Sequence, residues 1–247
     1  VLPNSSKAVK EVKEPGGDAP HVGSVADRYE PWLEDLQSGR VTHLKTPWPD
    51  LDDLVGLEER RRVGIVAQRG TREATVGRRI AIHVAETQGH VLLCTSFPPD
   101  PMPERLHVEP EMMLTPEHVN AAVRRLVRAG VRPVLIVIER YERLRLEERP
   151  VGDRRFDEIE RCAHEIDVSP NGVDVPCLYT TTTEREPDLS RRILDWAGVN
   201  SPGGIMTDFC RTLLVLRRLD RQQVEVRIEL DRVTYRHPEV LAIDLPT

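Results

Sequence analysis

The turn Ala67-Gln68-Arg69-Gly70-Thr71-Arg72-Glu73-Ala74-Thr75 is where this sequence could hold a phosphate. It joins a short apolar run, Val63–Ala67, to a helical stretch, Ala74–Gln88. The first turn of such a helix presents unbonded N–H groups that suit an anion. A phosphate loop also needs glycine for close backbone approach, lysine for the terminal phosphates and a Ser or Thr hydroxyl for magnesium. The turn has Gly70 but no lysine, and no lysine occurs anywhere after Lys45. That also removes Schiff-base and lysine-base chemistry downstream. Gly77-Arg78-Arg79 imitates the glycine–cation pair, but it lies too deep in the helix. Arg69, Arg72, Arg78 and Arg79 surround the turn. A solvated, salt-bridged face is the expectation for them, and anion binding at the helix start is the alternative.

Other chemistry-bearing residues give weaker patterns. Glu139, Glu142 and Glu73 could form a carboxylate cluster, with Glu139 and Glu73 brought together by the fold. Two converging carboxylates are few for a hard cation, so solvated charges are expected. Thr180–Thr183 reads as a β-prone strand end rather than as a hydroxyl nucleophile. His83 with His90, and Cys162 with His164, lack metal-ligand spacing. Cys94, Cys162, Cys177 and Cys210 form no Cys-x-x-Cys pair, which excludes a zinc ribbon or a thioredoxin-type motif. They read as reduced thiols on apolar elements.

The elements that position these residues alternate along the chain. Val63–Ala67, Val91–Thr95, Val134–Ile138 and Val175–Thr180 read as buried strands, and Leu213–Leu216, Val224–Leu230 and Leu241–Asp244 as later ones. Helices are expected at Ala74–Gln88, Thr115–Ala129 and Asp157–Ile166, the second with Thr115 as N-cap and Pro116 at the first helical position. Near-continuous β-branched runs separated by helices specify a mostly parallel sheet covered on both faces. The last strands follow one another without helices, which predicts an antiparallel end. The class is α/β, in three layers. Residues 1–40 read as a flexible arm with a short helix at 25–38 that Pro31 interrupts, and 41–247 as the α/β domain.

The chain has 247 residues, enough to bury a full core, and a net charge of −6 that disfavours a charge-driven DNA coat protein. No apolar leader and no run of about 18 apolar residues occurs, so no membrane partner is expected and the cytoplasm is the expected compartment.

Several segments, in order, resemble one family. Thr46-Pro-Trp-Pro-Asp-Leu-Asp-Asp-Leu-Val-Gly56 is similar to an entry segment T-G-F-x-x-L-D-x-x-x-x-G. Arg62–Arg69 is similar to a strand ending A-A-R-P, and Gln88–Thr95 to G-x-x-V-L-F-F-S. Val134–Glu139 resembles a Walker B strand L-I-V-I-D, Asp174–Thr180 resembles N-V-P-V-I-A-L, and Gly204–Asp208 resembles S-I-E-Q-D. Val224–Asp244 resembles a closing hairpin. Over residues 41–247 the chain resembles the C-terminal RecA-like motor domain of the DnaB family of replicative helicases.

The resemblance implies a RecA-like, P-loop NTPase-type fold and assigns positions to a nucleotide site, most of which have changed. The family's G-K-T falls on Arg72, Glu73 and Ala74, beside Gly70. Its catalytic glutamate falls on Phe97, its Walker B aspartate on Glu139 and its sensor glutamine on Thr182. In the closing hairpin Leu230 replaces a lysine, while Arg232 keeps an arginine that in the family reaches a neighbouring subunit's nucleotide. A lysine about 4 Å from a phosphate gains roughly 4 kcal/mol at an effective dielectric near 20, and Glu73 reverses that sign. Lost magnesium and water-activating groups act in the same direction.

The resemblance places DNA along loops that here carry Arg149, Arg154 and Arg155, then Arg185, Arg191 and Arg192. Arg154, Arg155, Arg191 and Arg192 are the candidate phosphate contacts. Interleaved Glu147, Glu148, Asp153, Glu184, Glu186 and Asp188 bring the local charge close to zero. The expectation is a helicase-like pseudoenzyme without catalytic residues or cofactor. It would serve as an interaction or regulatory module linked to DNA replication, with a protein partner. An atypical ATP- and magnesium-dependent helicase-like ATPase, and a ring-forming homo-oligomer or DNA-binding protein, are the alternatives.

Overall fold

The computed structural model describes residues 44–52, 57, 62–68, 73–110, 114–147, 154–167, 175–191, 193, 197–198, 201–210, 212–220, 222–231 and 240–245. The chain divides into two units, Val1–Val41 and Thr42–Thr247, and every described residue belongs to the second. The arm and short helix expected within 1–40 lie outside the described residues.

Eight strands form one sheet: β1 (Arg62–Gln68), β2 (His90–Cys94), β3 (Leu106–Glu109), β4 (Pro133–Ile138), β5 (Cys177–Thr183), β6 (Thr212–Arg218), β7 (Gln223–Asp231) and β8 (Val240–Asp244). Their order is β3-β2-β4-β5-β1-β6-β7-β8. The first six in that order are parallel, and β7 and β8 add antiparallel to β6. Mostly parallel strands with an antiparallel end are what the sequence predicts. Val63, Ile65 and Ala67 of β1 and Leu135 and Val137 of β4 enter one core, whereas Val66, Ile136 and Ile138 enter the other. Both faces are therefore buried, as continuous apolar runs require.

Helix α1 (Glu73–Thr87) covers one face. Its Val76, Ile80, Ala81, Val84 and Ala85 recur at helical spacing and are at most 1% exposed. Helices α2 (Pro116–Arg128), α3 (Arg155–Asp167) and α4 (Pro202–Phe209) cover the other face. Thr115 caps α2 as expected, its side chain accepting from His118 N, and Pro116 opens the helix. Trp48 donates its ring N–H to Asp244 O, which fastens the entry segment to β8.

Besides a four-residue helix at Pro49–Asp52 and a 3-10 turn at Tyr141–Arg143, one strand and one helix depart from the sequence reading. β3 is absent from it, because Leu106–Glu109 follows a proline-rich loop and only one of its four residues is buried. It is a strand because it pairs in register with β2. Helix α4 is also absent from it, because its opening residues Pro202-Gly203-Gly204 carry no apolar periodicity. Ser201 accepts from Gly204 N and Pro202 sits at the first turn, which is an ordinary helix start. A Cβ on Gly203 would lie 2.9 Å from Val66, so glycine there lets α4 reach β1.

All four cysteines are unpaired and buried. Burial pushes the Cys162 and Cys177 thiols up to about 12 and holds those of Cys94 and Cys210 above the ordinary thiol range. Unfolded thiols titrate near 9.0. The folded state keeps its protons longer, so this contribution to stability is complete below pH 9 and is lost as pH rises toward 12. Iodoacetamide at pH 8 is accordingly expected to leave all four thiols unmodified in the native protein and to alkylate them after unfolding. Intact-mass spectrometry reads this, and rapid native alkylation would contradict the burial. Among the described residues no helix is long and apolar enough to cross a membrane.

Candidate functional site

In an open parallel sheet the ligand-facing end lies beyond the carboxyl ends of the strands. Here an internal ion pair engages the first side chain beyond β4. Glu139 directly follows β4 and continues the ladder, its N–H donating to Cys94 O at 3.0 Å. Its side chain, 6% exposed, takes a two-pronged contact from Arg78 of α1. Arg78 Nε donates to Oε1 at 3.0 Å and Nη2 to Oε2 at 2.8 Å. Thr95, one residue past β2, donates its hydroxyl to Oε2 at 2.5 Å. The same hydroxyl accepts from Phe97 N at 3.0 Å. A bidentate guanidinium plus a hydroxyl satisfies a carboxylate that a cation would otherwise have to neutralise.

Arg78 reaches this place because α1 runs close to the sheet. A Cβ on the preceding residue, Gly77, would lie 2.7 Å from Thr180 Cγ2 of β5, below any normal contact. Glycine there sets the height of α1 and thus the reach of Arg78.

After Glu139 the chain turns sharply. Arg140 is left-handed, φ 57° and ψ 54°, unusual for a residue with a Cβ. It leads into a single 3-10 turn, Tyr141–Arg143. The threonine run of β5 fastens this turn: Thr180 Oγ1 accepts from Arg140 N at 3.2 Å, and Thr181 Oγ1 donates to Glu142 Oε2 at 2.9 Å. Arg140 Nε donates to the other oxygen of Glu142. Tyr141 is fully buried against Tyr179 and Phe209, edge to face. Burial holds both tyrosine hydroxyls well above their usual range.

No protein-family model matches this chain, and no curated protein matches it in sequence. Its fold is similar to that of a DnaB-like replicative helicase solved for its interactions with primase, with a TM-score of 0.69 at 15% identity. That match covers 92% of this chain, which spans only 65% of the helicase's length. A second solved structure, of an ATPase domain, is also similar, with a TM-score of 0.65 at 14% identity over 90% of this chain and 94% of that one. The chain has a DnaB-like RecA fold.

Within this DnaB-like frame the residues singled out from sequence fall into three groups. Gly70, Arg72, Arg192 and Arg232 lie outside the described residues, as do Arg69 and Arg149. Glu73 and Ala74 form the first turn of α1 and are described in backbone alone. The remainder are placed. Glu139 and Arg78 are joined. Thr182 is half-buried, in register with Ala67 of β1. Phe97 is 70% exposed at the mouth of the site. Glu142 is bound by Arg140 and Thr181, and no group of three metal-ligating residues converges among the described residues.

The arginines expected at DNA split in the same way. Arg155 bridges the carbonyls of Glu142 and Leu144 and ion-pairs with Glu158, itself 2% exposed. Its guanidinium ties α3 to the turn after β4. Arg154 stays exposed, 3.8 Å from Asp157. Arg191 is exposed, and its carbonyl accepts from buried Arg227 at 2.8 Å.

The sequence reading expects a solvated, salt-bridged face for Arg78; the salt bridge is present, but the side chain of its partner Glu139 is buried rather than solvated. The usable signal was positional. Arg78 adjoins the glycine at which α1 comes closest to β5, and Glu139 leaves β4 on the same side of the sheet as Val137. Neither the glycine's close approach nor that shared side is visible without the strand order.

Proposed function

We propose that this protein is a DnaB-like RecA-fold module that does not hydrolyse ATP and acts by binding a protein partner in a DNA-replication setting. The observation that carries the reading is the bidentate Arg78–Glu139 contact. The resemblance gives Glu139 the Walker B position, where a carboxylate serves magnesium and the attacking water. Here an internal cation and the Thr95 hydroxyl engage that carboxylate. The sequence supports the same reading: Glu73 and Ala74 replace the phosphate-binding lysine and magnesium-binding hydroxyl, and Phe97 replaces the catalytic glutamate. A protein partner agrees with the interaction of a similarly folded helicase with primase. The division of the chain into an arm over 1–40 and a domain over 41–247 belongs to this proposal as well.

The test is calorimetric titration of the full chain with ATP and magnesium, beside a steady-state phosphate-release assay. Neither binding heat nor turnover above the no-protein rate is expected. Turnover that Glu139→Ala abolishes would overturn the reading and make this an atypical ATPase.

A further inference from the structure

A second feature adjoins the Arg78–Glu139 pair and shares Thr95 and Glu139 with it. Between the ends of β2 and β4 a cleft is lined by Thr95, Phe97, Leu114 and Leu144, with Glu139, Arg140 and Arg143 as its charged residues. Leu114 and Leu144 are buried and form an apolar floor, while Phe97 stands 70% exposed at the rim. The Thr95 hydroxyl, held by Glu139, accepts from Phe97 N, so the backbone carrying that ring is anchored. Arg143 is half-buried, and among the described residues no hydrogen bond or ion pair engages its guanidinium. The nearby charges are already balanced: Glu139 by Arg78, and Glu142 by Arg140 and Thr181. Among the described residues, Arg143 therefore leaves an uncompensated positive charge over an apolar floor.

We propose that this cleft takes an acidic side chain of a partner protein, its carboxylate paired with Arg143 and its apolar neighbour packed on Phe97. A planar guanidinium matches a carboxylate bidentately, and an exposed aromatic beside an arginine is the usual composition of an interface anchor. A nucleic-acid strand fits less well, because it needs a series of cations along successive phosphates. Of the described arginines around this turn, Arg78, Arg140 and Arg155 are spent on internal carboxylates and carbonyls, exposed Arg145 donates to Leu144 O, and exposed Arg154 lies 3.8 Å from Asp157. The proposal rests on the partner-binding reading above and names the partner's chemistry.

The experiment selects a phage-displayed random heptapeptide library on the full chain and on Arg143→Glu and Arg143→Gln. Urea unfolding midpoints first confirm that the variants are folded, and Arg143→Gln is the fallback if charge reversal disturbs the turn. Wild type is expected to enrich peptides with Asp or Glu next to Leu, Ile, Phe or Trp. Arg143→Glu is expected to lose that set and to favour Lys or Arg. A synthetic peptide of the enriched sequence should bind Arg143→Gln and Phe97→Ser about tenfold more weakly, about 1.4 kcal/mol. No enrichment on wild type, equal affinity for the variants, or saturable binding of an oligothymidine strand lost in Arg143→Gln would each overturn the proposal. ATP turnover in the assay above would remove the non-hydrolysing reading without altering the Arg143 comparison, so the two failures are distinguishable.

Discussion

Arg78→Ala is expected to destabilise the protein by about 3 kcal/mol, because it leaves the carboxylate of Glu139 stranded beneath α1 without its cation. Glu139 is 6% exposed and Arg78 25%, so the pair sits in the regime where breaking one partner costs more than the pair is worth. Exposure of Arg78 places the loss at the lower end of the usual range of about 3–5 kcal/mol for a broken buried pair. Glu139→Gln keeps the shape and an acceptor for Arg78, and should lose less, about 1–2 kcal/mol. The double change Arg78→Met with Glu139→Leu removes both charges and keeps the volume, and should recover most of the loss. Urea unfolding midpoints at constant m value measure all three. An Arg78→Ala midpoint equal to wild type would mean that the pair does not form in solution, and the case against magnesium at Glu139 would fall with it.

Gly77→Ala carries the second large effect, and its sign is the reverse of what helix propensity dictates. Alanine inside a helix is favoured over glycine by about 1 kcal/mol. At this position the new methyl would lie 2.7 Å from Thr180 Cγ2, and Val137 and Leu178 close the remaining space at 3.9 and 4.0 Å. Over-packing a closed core costs about 1–3 kcal/mol, so a net loss is expected. Helix α1 must also lift, which draws Arg78 away from Glu139. Thr180→Ser removes the obstructing methyl while keeping the hydroxyl that accepts from Arg140 N. Gly77→Ala with Thr180→Ser should therefore be more stable than Gly77→Ala alone. A single variant as stable as wild type, or no recovery in the double variant, would show that the close approach of α1 does not constrain this site.

How much of this was legible in advance can be traced residue by residue. β1, β2, β4 and the three last strands were readable because buried parallel strands are continuous β-branched runs and the closing hairpins follow without helices. Helix α2 announced itself through Thr115 and Pro116. The sequence places the end of β5 at Thr180, whereas the strand runs to Thr183, its last residues pairing with Ala67 and Gln68. Threonine is as much at home in a strand as in the turn after it, so composition alone left the end open. β3 and α4 carried too little periodic signal, the one being a four-residue edge strand and the other opening with two glycines.

Composition and local periodicity are enough to specify the α/β class, the mostly parallel sheet and the absence of lysine from the whole segment after Lys45. The further expectation that Glu73, Ala74 and Phe97 replace phosphate-binding and catalytic groups comes from the resemblance and belongs to the proposed function. The partner of Glu139, by contrast, is set by packing between layers. Arg78 and Glu139 are 61 residues apart, and their meeting requires β5 to lie between β4 and β1 while α1 is lowered onto β5 at Gly77. A charge pair formed across layers leaves no spacing pattern in the chain, because its geometry is set by strand order and packing height. The same is true of Arg143. Arg140, Glu142 and Arg145 nearby in sequence are charged and it resembles them, yet each of those has an internal partner, while Arg143 lines the cleft with no side-chain partner among the described residues.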